Sequence, residues 1–160
     1  MARRLPSRRP LWPPVRTTLT WVNGTTLLAM LLAGVARTRL RRAPGGVYIA
    51  ETYSWRVPRQ HCFTLGAVIF SRRPADWLLD VRREQLLAHE TRHVGQYAVL
   101  GPFFLPAYGV ASAWSWLLTG AYGCRNVFER HAGLAEGGYR ELPPRPWINR
   151  FRNTVRRRPR

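Results

Sequence analysis

The hydrophobic and polar positions follow two different periods in the centre of the chain. The segments 45–55 and 61–71 are short and rich in β-branched and aromatic residues. Runs of this kind are typical of strands, so we predict two strands of a small sheet. From Asp80 onward the apolar positions recur at helical spacing until Gly101, which is followed by a proline. This pattern predicts a helix that stops at that glycine.

Two longer apolar segments flank this region. The segment 19–36 is short for a membrane span and contains several polar residues, so we predict one helix that packs on the domain or lies in a membrane interface. A secretory signal peptide and a true span are the alternatives. The segment 102–123 has no charged residue, but prolines, glycines and hydroxyl residues interrupt it. We therefore favour a core helix or a membrane-dipping helix over a span.

The order of these elements predicts an α+β fold in one domain, because 160 residues suffice for one hydrophobic core. A further helical segment begins near Asn126 and runs through VFERHAGLAEGGYREL. We predict a short sheet that packs against the Asp80 helix and against an apolar helix. The predicted organisation is a basic disordered arm over 1–18, a folded domain over 19–138 and a basic tail over 139–160.

The charge of the chain narrows the choice of partners. The sequence has 26 arginines, no lysine and 8 acidic residues, a formal charge of +18. A field of this sign attracts anionic membranes and nucleic acids. The tail mixes aromatic residues with arginines, and the chain has no zinc-finger spacing, RNP-like strand or helix-turn-helix pattern. We therefore favour an anionic membrane surface over nucleic acid as the partner.

The two cysteines do not form a recognisable framework. Cys62 and Cys124 are too few and too far apart for a disulfide scaffold or a cysteine-type zinc site. We predict two buried free thiols, with a single disulfide as the alternative.

The predicted central helix carries the chemistry, in the stretch LLAHETRHVGQY. Residues four apart project from one face of a helix, so the imidazoles of His89 and His93 converge on one point. Two neutral imidazoles are typical zinc ligands, and the adjacent Glu90 is placed to take a proton from a water that the metal activates. This H-E-x-x-H pattern is the signature of zinc metallopeptidases.

A catalytic zinc site needs a third protein ligand and an open position. Glu129 is the preferred candidate because it follows one apolar helix and begins a helical segment of its own, and the small Ala132 allows close approach. His131 and Glu136 are the rival candidates. Gln96 lies three residues after the second histidine, where its amide either steadies a ligand or makes an ordinary interior hydrogen bond.

Four stretches together carry a resemblance to a known group. TLGAVIF, HETRHVGQY, GPFFLPAYGVAS and NVFERHA, within about residues 62–135, look like small bacterial zincin-like proteins, a part of the glutamate-type zincins. The resemblance implies a minimal zincin-like fold in which His89, His93 and Glu129 bind Zn²⁺ and Glu90 is the general base. It also implies that TLGAVIF is an edge strand beside the cleft, where an extended peptide adds by backbone pairing.

The expected function is therefore a zinc metallopeptidase-like hydrolase that acts on peptides or proteins at a membrane surface. The expected location is the cytoplasmic face of a membrane, with secretion through an N-terminal signal as the alternative. Two other functions compete with it: a non-catalytic membrane-associated protein with a structural zinc, and a basic nucleic-acid-binding protein. Tyr97, Tyr108 and Tyr139 are candidate donors to a developing oxyanion, and the sequence does not select among them.

Overall fold

The computed structural model describes residues 11–58 and 60–146. Within them the chain forms an α+β fold, as predicted, in which six α-helices surround a four-stranded mixed sheet. The strands are β1 (Arg39–Arg42), β2 (Tyr48–Glu51), β3 (Cys62–Leu65) and β4 (Val68–Ser71). The helices are α1 (Trp12–Val22), α2 (Thr25–Val35), α3 (Ala75–Leu79), α4 (Glu84–Leu100), α5 (Phe104–Thr119) and α6 (Val127–Ala132).

The sheet has the strand order β1-β2-β4-β3. β2 and β4 are parallel, and the other two pairs are antiparallel. The prediction of one strand over 61–71 was wrong, because the chain reverses at Gly66 and forms the β3–β4 hairpin. TLGAVIF therefore covers parts of two strands, of which β3 lies at an edge of the sheet and β4 lies in its interior.

The hairpin turn is fixed against the start of α2. Gly66 has a positive φ of 55°, and a Cβ added there would lie 2.6 Å from the backbone carbon of Thr25. The next amide, of Ala67, donates a hydrogen bond to Oγ1 of Thr26 at 3.1 Å. Only glycine tolerates both this backbone conformation and this close approach.

The N-terminal region is more ordered than the sequence predicts. The disordered arm over 1–18 was wrong for residues 12–18, which belong to α1; residues 1–10 lie outside the described part of the chain. Arg16 is buried and its guanidinium donates to the carbonyl of Gly45 at 3.0 Å. The single helix over 19–36 was also wrong, because α1 and α2 meet at an angle of 74° across Asn23-Gly24.

The central helix agrees with the prediction. The carboxylate of Asp80 accepts a hydrogen bond from the amide of Arg82 at 2.9 Å and begins a short 3₁₀ turn, after which α4 starts at Glu84. The helix ends at Leu100, because Gly101 adopts a positive φ of 56° and starts the 3₁₀ turn Gly101–Phe103.

α5 and α6 differ from the prediction. α5 buries only Phe104 and Ser115, so the first of the two predicted alternatives, a core helix, was wrong, and the membrane-dipping helix stays a prediction. α6 stops at Ala132, because Gly133 has a positive φ of 97°, and turns replace the rest of the predicted helical segment. In the described part of the chain, no single helix has the length and hydropathy to cross a bilayer; α1 and α2 reach the threshold only as a bent pair.

Two buried clusters use the two faces of β4. Val68 and Phe70 pack with the alanines of α2, whereas Ile69 packs with Leu78 of α3 and Val94 of α4. α4 is therefore anchored by the core, and its remaining face is left for polar residues. Cys62 and Cys124 are both free and buried, which confirms the prediction of two thiols.

Candidate metal centre

Three ligand-type side chains meet between α4 and α6. Nε2 of His89 lies 3.2 Å from Nε2 of His93, and Oε2 of Glu129 lies 3.2 Å from the first nitrogen and 3.6 Å from the second. All three residues are buried, with exposures of 2%, 6% and 2% in that order. A group of this kind is able to hold a metal ion.

The hydrogen bonds on the far side of each imidazole decide which nitrogen carries the proton. Nδ1 of His89 lies 2.8 Å from the carbonyl of Gly133, which only accepts. Nδ1 of His93 lies 2.7 Å from Oε1 of Gln96, whose amide nitrogen donates to the carbonyl of Phe128 at 2.9 Å. Both Nδ1 atoms are therefore donors, and in the neutral rings both Nε2 atoms keep a free lone pair.

The centre thus presents three acceptors to one another. Oε2 of Glu129 is buried without a hydrogen-bond partner in the described structure, and the two lone pairs face it. Such an arrangement is repulsive unless a cation lies among the three atoms. The donor set of two imidazoles and one carboxylate fits a divalent transition metal.

The electrostatics of the centre favour a negative charge on Glu129. Burial alone raises the pKa of a carboxyl group, but attraction to the imidazolium forms of His89 and His93, together with the hydrogen bond from Tyr108, brings the pKa of Glu129 down to about 2. Burial alone lowers the pKa of His89, because it disfavours the charged ring. The neighbouring carboxylates outweigh burial, and the net shift of this pKa is upward. Both shifts show that the centre attracts positive charge.

Hydrogen bonds hold α6 against both α5 and α4. The side chain of Asn126 caps α6 by accepting from the amide of Phe128 at 2.9 Å, and its own amide donates to Ser112 of α5 at 2.9 Å. Arg92 donates to the carbonyl of Ala132 at 2.6 Å. Ala132 is fully buried, which is consistent with the close approach that its small side chain permits.

Searches with this chain match no protein-family model, no curated protein and no solved structure. The functional assignment therefore depends on the residues of the centre and of the cleft beside it.

Glu90 lies beside the three ligands and faces the same cleft. Oγ1 of Thr64, on the edge strand β3, donates to Oε2 of Glu90 at 2.7 Å. Burial raises the pKa of this carboxyl group above its ordinary value. The cleft has a volume of about 920 Å³, and His89, Glu90 and β3 all line it.

The rival ligands lie outside the centre. Nδ1 of His131 contacts the amide nitrogen of Gln96 at 3.2 Å, behind the ligands rather than among them. Glu136 lines the cleft but does not belong to the group of three. The structure therefore brings together His89, His93 and Glu129 and leaves the two rivals apart.

The three tyrosines have different places. The hydroxyl of Tyr108 donates a short hydrogen bond to Oε1 of Glu129, and the hydroxyl of Tyr139 donates to the same oxygen at 3.4 Å. Tyr97 packs on Phe104 beneath the centre, with ring centroids 4.4 Å apart. Tyr108 and Tyr139 thus hold one carboxylate oxygen, which leaves Oε2 directed at the histidines.

The segment after α6 also belongs to the centre, although the sequence analysis placed its end in a basic tail. A Cβ added to Gly137 would lie 2.4 Å from Cε1 of His89, and one added to Gly123 would lie 2.3 Å from the ring of Tyr139. The tail boundary at residue 139 was therefore wrong for Tyr139. Sequence analysis also missed Thr64, because only the sheet brings it to Glu90.

Proposed function

We propose that this chain is a zinc-dependent hydrolase of the metallopeptidase type. His89, His93 and Glu129 are the proposed ligands, and Glu90 is the proposed general base. The observation that carries the proposal is the convergence of three buried acceptor atoms, with no donor among them, beside a second buried carboxyl group, that of Glu90. Zinc is favoured over other divalent metals because two imidazoles and one carboxylate form a typical catalytic zinc set.

A bound Zn²⁺ would supply a Lewis acid that polarises water and a substrate carbonyl. Glu90 would then take the proton of the attacking water and return it to the leaving amine. Its raised pKa suits this role, because a stronger base takes a proton more readily at neutral pH. Thr64 occupies Oε2 of Glu90, so Oε1 is the atom on which the proposal places the proton.

The same proposal assigns peptides as the substrate class. Among residues 11–58 and 60–146, β3 pairs with a strand on one side only, that of β4, so its other edge faces the cleft without a strand partner. An extended peptide would add to this edge by backbone hydrogen bonds. This geometry supports the resemblance to the glutamate-type zincins, which remains part of the proposal.

A structural zinc is the second candidate, and the contacts around Glu129 favour it. Tyr108 from α5 and Tyr139 from the segment after α6 both reach this one carboxylate, so a metal would join several parts of the fold. A site of this kind would bind zinc without hydrolysing anything.

Elemental analysis of purified protein tests the metal centre. We expect about one zinc per wild-type chain, and loss of the metal in His93→Ala and in Glu129→Gln, since a catalytic zinc has three protein ligands. Glu136→Gln is the matched control, because it removes the same charge from the rival position and should keep its zinc. Absence of zinc from the wild type would refute the metal centre.

Glu90→Gln separates the hydrolase from the structural site. We expect this variant to keep its zinc but to lose proteolysis of fluorescently labelled casein, whereas wild type and Glu136→Gln cleave it. If wild type holds zinc but releases no more fluorescence than Glu90→Gln, the site is structural and the hydrolase proposal fails.

A further inference from the structure

The outer face of α2 departs from the usual pattern of a surface helix. α2 buries its small residues Ala29 and Ala33 against the sheet and, although Met30 and Leu32 pack partly on the core, turns its other four large apolar residues outward. Helices on the surface of a globular domain normally direct their large apolar side chains toward the core. The exposures of the outward residues are 54% for Leu27, 51% for Leu28, 60% for Leu31 and 70% for Val35.

Further exposed apolar residues lie where the turn before α2 meets the end of α4. The side chain of Asn23 donates to the carbonyl of Tyr97 at 2.9 Å, and Gly101 approaches Asn23 so closely that an added Cβ would lie 3.4 Å from it. These contacts seat the α1–α2 turn on the C-terminal end of α4. The residues around this junction are Val22, Val99 and Phe103, which are 79%, 73% and 75% exposed. We call these three residues and the four of α2 the apolar end.

The charged residues that flank α2 in the sequence are all positive. No acidic residue occurs before Glu51, and the segment 102–123 that follows the end of α4 has no charge at all. The first charged residues after α2 are Arg37 and Arg39, and both are exposed. Asp80 and Glu84 lie at the opposite end of α4.

We propose that the apolar end is a membrane-docking surface, which inserts its leucine, valine and phenylalanine side chains into the interface of an anionic lipid bilayer. Burial of apolar side chains at the boundary between headgroups and acyl chains supplies one part of the attraction. The excess of arginine supplies the other, because guanidinium groups pair with lipid phosphates. Insertion of side chains to a depth of about 5–10 Å requires no helix that spans the bilayer.

The net charge favours a bilayer over a second copy of the chain as the occupant. Two molecules with a formal charge of +18 repel each other, whereas an anionic bilayer attracts both. The proposal does not depend on the metal centre, since no ligand belongs to the apolar end.

Vesicle co-sedimentation tests the proposal with the full chain. We expect wild type to bind phosphatidylcholine vesicles that contain phosphatidylglycerol, and to bind pure phosphatidylcholine vesicles much more weakly. Leu31→Glu should reduce the binding roughly tenfold, because it removes one leucine that the lipid would bury and adds a charge that the anionic lipid repels. Val81→Glu is the matched control, since Val81 is 79% exposed at the other end of α4 and the charge change is the same.

The outcomes separate the occupants. Strong binding by wild type and Val81→Glu, with loss in Leu31→Glu, supports the membrane-docking surface. Equal weakening in both variants shows that only net charge matters, and absence of wild-type binding shows that the bilayer is not the partner; either result overturns the proposal. So does a wild-type dimer that Leu31→Glu converts to a monomer, which would assign the surface to a second copy. Circular dichroism of each variant checks that it is folded.

Discussion

The candidate metal centre and the apolar end depart from the usual pattern of burial in opposite ways. Around His89 and Glu129 the protein buries polar atoms, whereas on the outer face of α2 it exposes leucines. The buried acceptors lower the stability of the isolated chain, because one of them lacks a partner. The exposed leucines add little to stability, because they are in water in both the folded and the unfolded chain. Each departure is what a ligand would explain: a cation at the buried acceptors and, as proposed above, a lipid surface at the leucines.

The largest expected effect is the loss of thermal stability when the proposed zinc is removed. A ligand at about 1,000 times its Kd stabilises the folded state by about 4 kcal/mol. For a chain of this size that corresponds to a rise in Tm of roughly 8–16 °C. We expect calorimetry to show a shift of this size between wild type with zinc and wild type with a chelator.

Glu129→Gln sharpens that measurement. The glutamine amide is able to donate to the lone pairs of His89 and His93, so the variant should fold without metal but respond little to zinc. Glu136→Gln should keep the wild-type response. An equal rise in Tm for wild type and Glu129→Gln would show that zinc stabilises the protein from another site.

The second expected effect is a difference in the free energy of unfolding between variants on the two faces of α2. Ala33 is fully buried against the sheet, so Ala33→Leu should overpack the core and reduce the free energy of unfolding by about 1–3 kcal/mol. Leu31→Ala on the outer face should change it by less than about 0.5 kcal/mol. Urea unfolding measures both variants in the absence of lipid. A large loss for Leu31→Ala would mean that the outer face contributes to the fold.

The third effect concerns the segment that lies on His89. Gly137→Ala would place a methyl group against the imidazole, which should displace either the segment or the ring. We expect a loss of about 1–3 kcal/mol in stability. Zinc affinity, measured by competition with a chelator, should also fall. Gly109→Ala is the control, because nothing lies within 4 Å of its added Cβ and the helix should gain up to about 1 kcal/mol.

The smallest effect is the pH dependence that Cys62 contributes. Burial raises the pKa of this thiol from its ordinary value of 9.0 to about 12. The unfolded chain therefore loses the proton first, and stability should fall as the pH rises from about 9 toward 12. At pH 10 the loss should be about 1 kcal/mol relative to Cys62→Ala, measured by urea unfolding. No difference between the two proteins would show that the thiol is not desolvated.

The sequence was sufficient where local spacing determines geometry. The four-residue separation of His89 and His93 and the glycine at 101 predicted α4, because both are local properties of a helix. Glu129 was selected as the third ligand by ligand chemistry and by its position after one helix. The observed group of three agrees with that selection, while the identity of the metal remains a proposal.

The sequence failed where long-range packing decides the structure. The hairpin at Gly66 was missed because apolar residues flank this lone glycine on both sides, and a lone glycine also occurs within strands. The contact with the backbone of Thr25 that requires glycine there is visible only in the folded chain. β1 was missed because Arg39–Arg42 is exposed throughout and shows no alternation, which is common for a charged edge strand. The contact of Tyr108 with Glu129 depends on the packing of α5 on α6.

The rigidity of α4 fixes how far the cleft is from a bilayer. Eight residues separate His93 from Gly101, and a helix of that length extends about 12 Å. With the apolar end in the headgroup region, the candidate metal centre would lie no farther than this above it along the helix axis. An extended polypeptide covers the same height in about four residues. If the centre is hydrolytic as proposed, the length of the helix would favour cleavage of bonds a few residues outside the lipid, such as those just beyond a membrane anchor.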